Sequence, residues 1–177
     1  MKFNDSAIMP IIAIDFDDTL NINGAHKYPI CGSVRPHAKE VLDFMHKLGI
    51  KIVIWTSRDV AYNQDEKKIY DHMTPMIKWL DRKKIHYDAI NKSIQFAPYH
   101  YNGRKVYAHM YIDDRAFGWT GAEDGKDEIF YDVLRSFLIK VCSFKYEEAN
   151  ICVYYCRKGI EPDEWMIEGV RNWKKNS

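Results

Sequence analysis

Short apolar runs alternate with longer amphipathic segments along most of the chain. The first run, residues 11–14, is too short for a useful helix and ends directly at Asp15, which is typical of a buried parallel strand. A helix is predicted from Pro36 to a stop at Gly49, because apolar residues recur there at every third or fourth position. Residues 50–55 then form a second apolar run. The chain therefore begins with a strand, a helix and a second strand.

The middle of the chain continues this alternation with weaker signals. Residues 21–29 are rich in turn formers and predict a loop, whereas residues 60–73 are charged and favour a weak helix. Residues 74–84 predict a capped second helix with a basic last turn, and strands are predicted over 87–90 and 106–112. The order strand, helix, strand, helix, strand, crossover, strand predicts an α/β fold, a Rossmann-like three-layer arrangement with a mainly parallel sheet.

The C-terminal part is predicted to be helical. Residues 127–141 carry the apolar spacing of an amphipathic helix, with no convincing strand before it. Residues 147–159 combine helical end charges and a glycine stop with β-branched and aromatic residues, and we favour a helix over a strand. We predict one main domain over residues 1–143 and a helical extension over 144–177 that packs on the same domain or on a partner subunit.

Composition narrows the class of protein. The 177 residues are 46% hydrophobic and 14% aromatic, enough for a single folded domain with a real core. The formal charge of +1 gives no general reason to expect nucleic acid or an anionic membrane as partner. Four cysteines are too few and too irregular for a disulfide framework, and no segment has the roughly 20 apolar residues of a membrane span. We therefore expect a soluble, cytoplasmic protein.

Carboxylates follow two of the predicted strands. Asp15, Asp17 and Asp18 end the first strand region, and Asp113 and Asp114 follow the fourth. The carboxyl ends of parallel strands meet at one edge of a sheet, so these acids are expected to converge. Their mutual repulsion is relieved by a cation, and hard oxygen ligands suit Mg2+. The alternative is a strand that simply ends in an acidic turn.

Groups that bind phosphate follow the other two strands. Four of them are candidates: Thr56, Ser57, Arg58 and Lys92. Together with the acids they suit phosphoryl transfer, in which Asp15 or Asp17 attacks phosphorus and the other transfers protons. For Arg58, an ion pair with Asp59 is the competing interpretation.

Of the lysines between the second and fourth strands, Lys92 and Lys105 are the two candidates for the site. Lys105 precedes the predicted strand 106–112, so an extended chain would place it ~26 Å from Asp113 at the opposite edge of the sheet. Lys92 lies at the end of the preceding strand, on the side of the acids. We therefore predict Lys92 as the lysine of the site.

These residues, in this order, resemble the four motifs of the haloacid dehalogenase-like hydrolase superfamily, over roughly residues 8–140. The matching positions are Asp15, Asp17, Thr19, Thr56, Lys92, Asp113 and Asp114, and Asp18 stands where glycine is common in the family. The resemblance implies that Asp15 is the nucleophile and Asp17 the acid and base. It also implies that Mg2+ is held by the Asp15 side chain, the Asp17 backbone carbonyl and Asp113, with Asp114 in support.

The resemblance also sets the expected function. The gaps that hold large caps in the family lack an added domain here, so the chain resembles the capless members. This implies a Mg2+-dependent phosphatase that forms an aspartyl-phosphate on a phosphate monoester. A nucleotide phosphatase or one acting on nucleic-acid 3′-phosphate ends is the first alternative, and a phosphate-binding or regulatory module with a vestigial site is the second. The expected partner is a phosphorylated small molecule or nucleic-acid end, and a homo-oligomer is possible. A response-regulator receiver is disfavoured by motif order, since Asp113 and Asp114 come last.

Overall fold

The computed structural model describes residues 9–22, 28–94, 106–116 and 128–175. The strands, in chain order, are β1 (Ile11–Asp15), β2 (Asn21–Ile22), β3 (Ser33–Val34), β4 (Lys51–Trp55), β5 (Val60–Tyr62), β6 (Lys68–Asp71), β7 (Ala89–Ile90) and β8 (Met110–Ile112). The helices are α1 (Ala38–Lys47), α2 (Met73–Lys83), α3 (Ile129–Lys140), α4 (Tyr146–Lys158) and α5 (Glu164–Arg171), followed by a 3-10 turn over Trp173–Lys175.

A four-stranded parallel sheet of order β7-β4-β1-β8 forms the centre of the molecule. Helices flank this sheet, which confirms the predicted α/β class and agrees with a Rossmann-like three-layer fold. In the register, Asp15 lies beside Trp55, and Ile14 lies beside Ile112. The carboxyl ends of β1, β4 and β8 therefore meet at one edge.

The core lies mainly on one side of the sheet. Ile12 and Ile14 of β1 pack there with the apolar faces of the helices, because alternate residues of a strand point to the same side. On the opposite side, Ile11, Val53 and Val106 form a smaller buried cluster. Burial on both sides explains why β1 and β4 are continuous apolar runs.

Two antiparallel hairpins lie outside the central sheet. β5 pairs with β6, so the weak helix predicted over 60–73 is wrong. The turn between these strands is stabilised by the Asn63 carboxamide oxygen, which accepts hydrogen bonds from the backbone of Asp65 and Lys67 at 3.1 and 2.8 Å. β2 pairs with β3, so the predicted loop over 21–29 begins with a short strand; residues 23–27 lie outside the described residues.

Element ends also differ from the predictions. α1 begins at Ala38 rather than Pro36, because His37 adopts a left-handed conformation with φ 61°. Its predicted end is confirmed, and Gly49 has φ 88°. β8 begins only at Met110, so the predicted strand over 106–112 is too long. Lys105 itself lies outside the described residues, so the choice of Lys92 over Lys105 stays a prediction.

The C-terminal helices pack into the same core as the sheet. α4 confirms the helix favoured for residues 147–159, and Gly159 ends it with φ 63°. Cys152 and Cys156 are buried in this core as free thiols. Trp173 stacks edge-on against His109 at 4.6 Å, and the His109 backbone bonds to Ile11 at the start of β1. Trp173 therefore lies at the edge of the sheet opposite Asp15.

Candidate active site

Three carboxylates converge where β1 and β8 end. Asp15, Asp113 and Asp114 each offer an oxygen, and these atoms lie within 4.8 Å of one another. Burial, followed by the nearby Asp113 carboxylate, raises the pKa of Asp15 to about 7. A divalent cation relieves the repulsion within such a cluster of carboxylates, and hard oxygen donors suit Mg2+. The three residues therefore fit Mg2+.

The buried Thr19 links the two acidic strand ends. Its hydroxyl oxygen accepts a hydrogen bond from the backbone N–H of Asp114 at 2.9 Å. Its side chain also hydrogen-bonds Asp15, which by itself lowers the pKa of that carboxyl group. Asp18 turns the chain between them with φ 61°, a conformation that favours glycine and is tolerated by aspartate. Because Thr19 bonds both residues, it holds the backbone of Asp114 close to Asp15.

Asp17 is held by a buried arginine. Arg58, only 1% exposed, donates from Nε and Nη2 to the two carboxylate oxygens of Asp17 at 2.8 and 2.7 Å. Its Nη1 donates to the backbone oxygen of Pro29 at 2.7 Å. Arg58 does form an ion pair, but its partner is Asp17 and not the predicted Asp59. A bidentate pair of this kind fixes the orientation of the carboxylate.

The two oxygens of Asp17 are not equivalent. Oδ1 accepts from Arg58 and also from the side-chain amide of Asn21 at 3.2 Å. Among the described residues, Oδ2 accepts only from Arg58 Nε. A carboxylate oxygen can accept about two hydrogen bonds. Oδ2 is therefore the atom of Asp17 that retains a lone pair for an incoming group.

The end of β4 presents hydrogen-bond donors. Thr56 is 8% exposed, and its backbone is bracketed by the Asn91 side chain, which accepts from the Thr56 N–H at 2.9 Å and donates to its carbonyl at 2.8 Å. The Thr56 hydroxyl oxygen accepts from the Arg58 N–H at 3.1 Å. Its own proton remains able to donate to a ligand oxygen.

One open cavity collects these residues. It is lined by Asp15, Asp17, Trp55, Thr56, Ser57, Asp113, Asp114 and Arg115. Of the predicted site residues, Arg58 lies buried behind Asp17. Lys92 follows Asn91 at the end of β7, is exposed, and does not line this cavity in the described part of the chain. Its role in catalysis stays a prediction, and the cationic side chain that does line the cavity is that of Arg115.

Several supporting residues were missed from the sequence. Asn21 and Asn91 each bond a predicted site residue, and Trp55 lines the cavity as the last residue of β4. The side chain of Arg35 donates to the backbone oxygens of Thr19 and Asp18, which holds the turn between the acids. The position of Trp55 as the last residue of β4 could have predicted that it lies at the cavity. The others act through tertiary hydrogen bonds that spacing does not encode.

Comparisons with known proteins support the fold. No protein-family model matches the chain, and no curated protein matches its sequence. A solved structure from Bacteroides thetaiotaomicron, described as a conserved protein, is similar over 80% of this chain and 97% of its own length, with 24% identity and a TM-score of 0.52. No helix among the described residues is long and apolar enough to cross a membrane. The similarity shows a shared fold.

Proposed function

We propose that this protein is a Mg2+-dependent phosphatase of the haloacid dehalogenase-like type that hydrolyses a phosphate monoester through an aspartyl-phosphate. One observation carries the proposal. The half-buried Asp15 shares a cavity with two further carboxylates and with Asp17, which a buried arginine orients. Nucleophile, cation ligands and proton-transfer group are therefore adjacent, as phosphoryl transfer requires.

In the first half of the reaction, a carboxylate oxygen of Asp15 attacks phosphorus, and the bond from phosphorus to the ester oxygen breaks. A proton on Asp17 Oδ2 passes to the leaving oxygen. The Thr56 hydroxyl and the Arg115 side chain stabilise the negative oxygens of the phosphoryl group. Mg2+ held by Asp15, Asp113 and Asp114 would reduce the repulsion between the nucleophile and the phosphate.

In the second half, Asp17 acts as a base. It removes a proton from a water molecule, which attacks phosphorus and releases inorganic phosphate from Asp15. The bidentate pairing with Arg58 holds the carboxylate in a fixed orientation for this step. The Asp17 side chain therefore starts the second half with the proton lost and ends it with the proton regained, ready for the next turnover.

We also propose a reducing, cytoplasmic compartment. The four cysteines are all free, and three of them, Cys142, Cys152 and Cys156, are buried. Burial raises the pKa of each of these three thiols to about 12, which keeps them protonated and unreactive at neutral pH.

Replacing Asp15 by asparagine tests the nucleophile. We expect Asp15→Asn to abolish Mg2+-dependent phosphate release from a panel of nucleotides, sugar phosphates and 3′-phosphorylated oligonucleotides. Asp18→Asn, which removes a charge from the neighbouring turn, should retain turnover and serves as the control. Acid-quenched wild-type protein should carry a phosphoryl group on Asp15 after mixing with an active ester.

Three results would contradict the proposal. Turnover by Asp15→Asn would exclude Asp15 as the nucleophile, and turnover in excess chelator would exclude the metal. If no ester on the panel releases phosphate, a phosphate-binding or regulatory module becomes the better interpretation of this cavity.

A further inference from the structure

The helix α4 carries apolar side chains on two opposite faces. Four residues of its inward face are buried in the core of this chain: Ala149, Cys152, Val153 and Cys156. Four residues of its outward face are exposed and form what we call the α4 stripe: Glu147, Ile151, Tyr154 and Lys158. At ~100° per residue, the stripe spans about 60° of the helix surface and points directly away from the core.

The two apolar residues of the α4 stripe are not explained by packing within this chain. Ile151 is 44% and Tyr154 is 54% exposed, although the helix already has a complete buried face. A helix that buries one face against its own core usually carries polar residues on the opposite face. Grouped apolar side chains on a protein surface commonly mark a contact with another molecule. The outward face of α4 therefore has the character of an interaction surface.

The α4 stripe ends in opposite charges. Glu147 lies in the first turn of the helix and Lys158 lies in the last. Neither side chain forms an ion pair with another residue in the described part of the chain. The Lys158 Nζ atom lies 6.0 Å from the centre of the Tyr154 ring. At a rise of 1.5 Å per residue, about 16 Å of helix separates the two charges, so they do not pair with each other.

The order of residues along the α4 stripe is complementary to its own reverse. When a second α4 packs antiparallel on the first, with a two-fold axis at the middle of the helix, Glu147 meets the partner's Lys158. In the same register, Ile151 meets the partner's Tyr154. Each of these pairs forms twice, because a two-fold interface uses the same patch on both subunits. The antiparallel arrangement also brings opposite ends of the two helix dipoles together.

We propose that the α4 stripe is a dimer interface on which a second copy of this chain packs antiparallel. A second copy is the occupant that satisfies both charged and both apolar residues of the stripe in one register. A pair of single helices buries less surface than a standard interface, so the dimer depends on concentration, with a Kd on the order of 10 µM. No residue of α4 lines the described cavity, and the inference is therefore independent of the proposed function.

Sedimentation velocity of the full chain measures the dimer directly. Over a hundredfold range of concentration centred on about 10 µM, we expect the wild type to change from monomer to dimer. Ile151→Glu should weaken association about a hundredfold, because the change occurs twice in the dimer and places a carboxylate beside each Tyr154 ring. Ile69→Glu is the matched control, since it makes the same change at a side chain that is 65% exposed on the β5–β6 hairpin. It should leave association unchanged.

An exchange of charges tests the antiparallel register. Glu147→Lys places two lysines together at each end of the interface, and Lys158→Glu places two glutamates together. Each variant alone should therefore dimerise about tenfold more weakly than the wild type. In a mixture of the two variants, a heterodimer pairs every charge with its opposite, so the mixture should associate as tightly as the wild type. Glu168→Lys, the same charge change at an exposed position of α5, controls for net charge and should keep the dimer.

Each contrary outcome overturns a stated part of this inference. A wild-type chain that stays monomeric throughout the concentration range excludes the dimer. A dimer that survives Ile151→Glu, or that is lost only in Ile69→Glu, places the interface on another surface. A mixture of the two charge variants that associates no more tightly than either alone excludes the antiparallel register. Because the α4 stripe does not line the cavity, turnover per subunit should be the same in Ile151→Glu and the wild type.

Discussion

The carboxyl group of Asp15 exchanges its proton near neutral pH in the metal-free protein. Its pKa of about 7 in the folded chain lies above the ordinary value of 3.8, because of burial and the charge of Asp113. The stability that protonation of Asp15 provides is present below pH 4 and is lost as the pH rises through about 7. Mg2+ binding should reverse this loss, since the cation takes the place of the proton.

Mg2+ affinity should therefore depend on pH. Between pH 5 and 7 we expect the affinity to rise about tenfold for each pH unit, since binding displaces a proton from Asp15, and to level off above pH 7. Calorimetric titrations with Mg2+ at pH 5.5, 6.5, 7.5 and 8.5 measure this slope. Asp18→Asn should retain the slope. A Kd for Mg2+ that is the same at pH 5.5 and 7.5 would contradict the assignment of Asp15 as a ligand.

Arg58 should contribute to stability as well as to orientation. Its side chain is fully buried, and removing it leaves the Asp17 carboxylate without its main donor. We expect Arg58→Leu to lower the free energy of unfolding by about 3 kcal/mol, measured by urea denaturation. Arg58→Lys keeps the charge but loses the bidentate geometry. Its free energy of unfolding should therefore lie between those of the wild type and Arg58→Leu.

An exposed arginine provides the comparison for Arg58. Arg115→Ala should change the free energy of unfolding little, because the side chain lies in solvent at the cavity. An unchanged unfolding midpoint for Arg58→Leu would show that the pair with Asp17 does not stabilise the fold.

At the residue scale, the sequence located the acids more reliably than their partners. Asp15 and Asp113 could be placed because each lies at the carboxyl end of an apolar segment that pairs in the central sheet. The partner of Arg58 could not, since Asp59 is adjacent in sequence whereas Asp17 is distant and meets Arg58 only through the fold. Hydrogen bonds of this kind depend on how the strand ends converge, and no local pattern encodes them.

At the element scale, burial decided which predictions held. β1 and β4 are covered on both sides, and their apolar runs were unambiguous. The β5–β6 hairpin is exposed enough that Tyr62, Ile69 and Tyr70 all face solvent in part. Its residues follow neither the alternation of a half-buried strand nor the spacing of an amphipathic helix. The weak helix was therefore predicted from charged residues alone, and that prediction was wrong.

Gly169 of α5 lies directly against Phe144, in the segment before α4. A Cβ atom on Gly169 would lie 2.6 and 2.7 Å from two ring carbons of the buried Phe144. We expect Gly169→Ala to lower the free energy of unfolding by about 1 to 3 kcal/mol, because the ring has to move within a packed core. Glu168→Ala, a neighbouring exposed position, should have little effect.

A second substitution checks this steric explanation. Phe144→Leu in the Gly169→Ala background removes the ring carbons that clash, so the double variant should be more stable than the sum of the two single changes. Additive losses in thermal or urea denaturation would show that the helix position, and not the contact with Phe144, sets the cost.

At the scale of the whole molecule, the C-terminal segment completes the core of this chain. The sequence left open whether it packs on the same domain or on a partner subunit, because an apolar helix face looks the same in both cases. In the structure, Cys152 and Cys156 of α4 and Met166 and Val170 of α5 belong to the cluster that contains the sheet. The segment thus covers the sheet from the side of α1 and α3.

Truncation after Lys158 separates stability from chemistry. Loss of α5 removes Met166 and Val170 from the core and uncovers Phe144, which should lower the free energy of unfolding by about 4 kcal/mol. Below its own unfolding transition, the truncated chain should retain kcat, because Trp173 packs on His109 at the opposite edge of the sheet from Asp15. A chain ending at Lys175 is the matched control and should match the full protein in both properties. A truncated chain that keeps full stability but loses an oligomeric state that the full protein has would instead place these helices at an interface between copies. The loss would then affect association and leave the core intact.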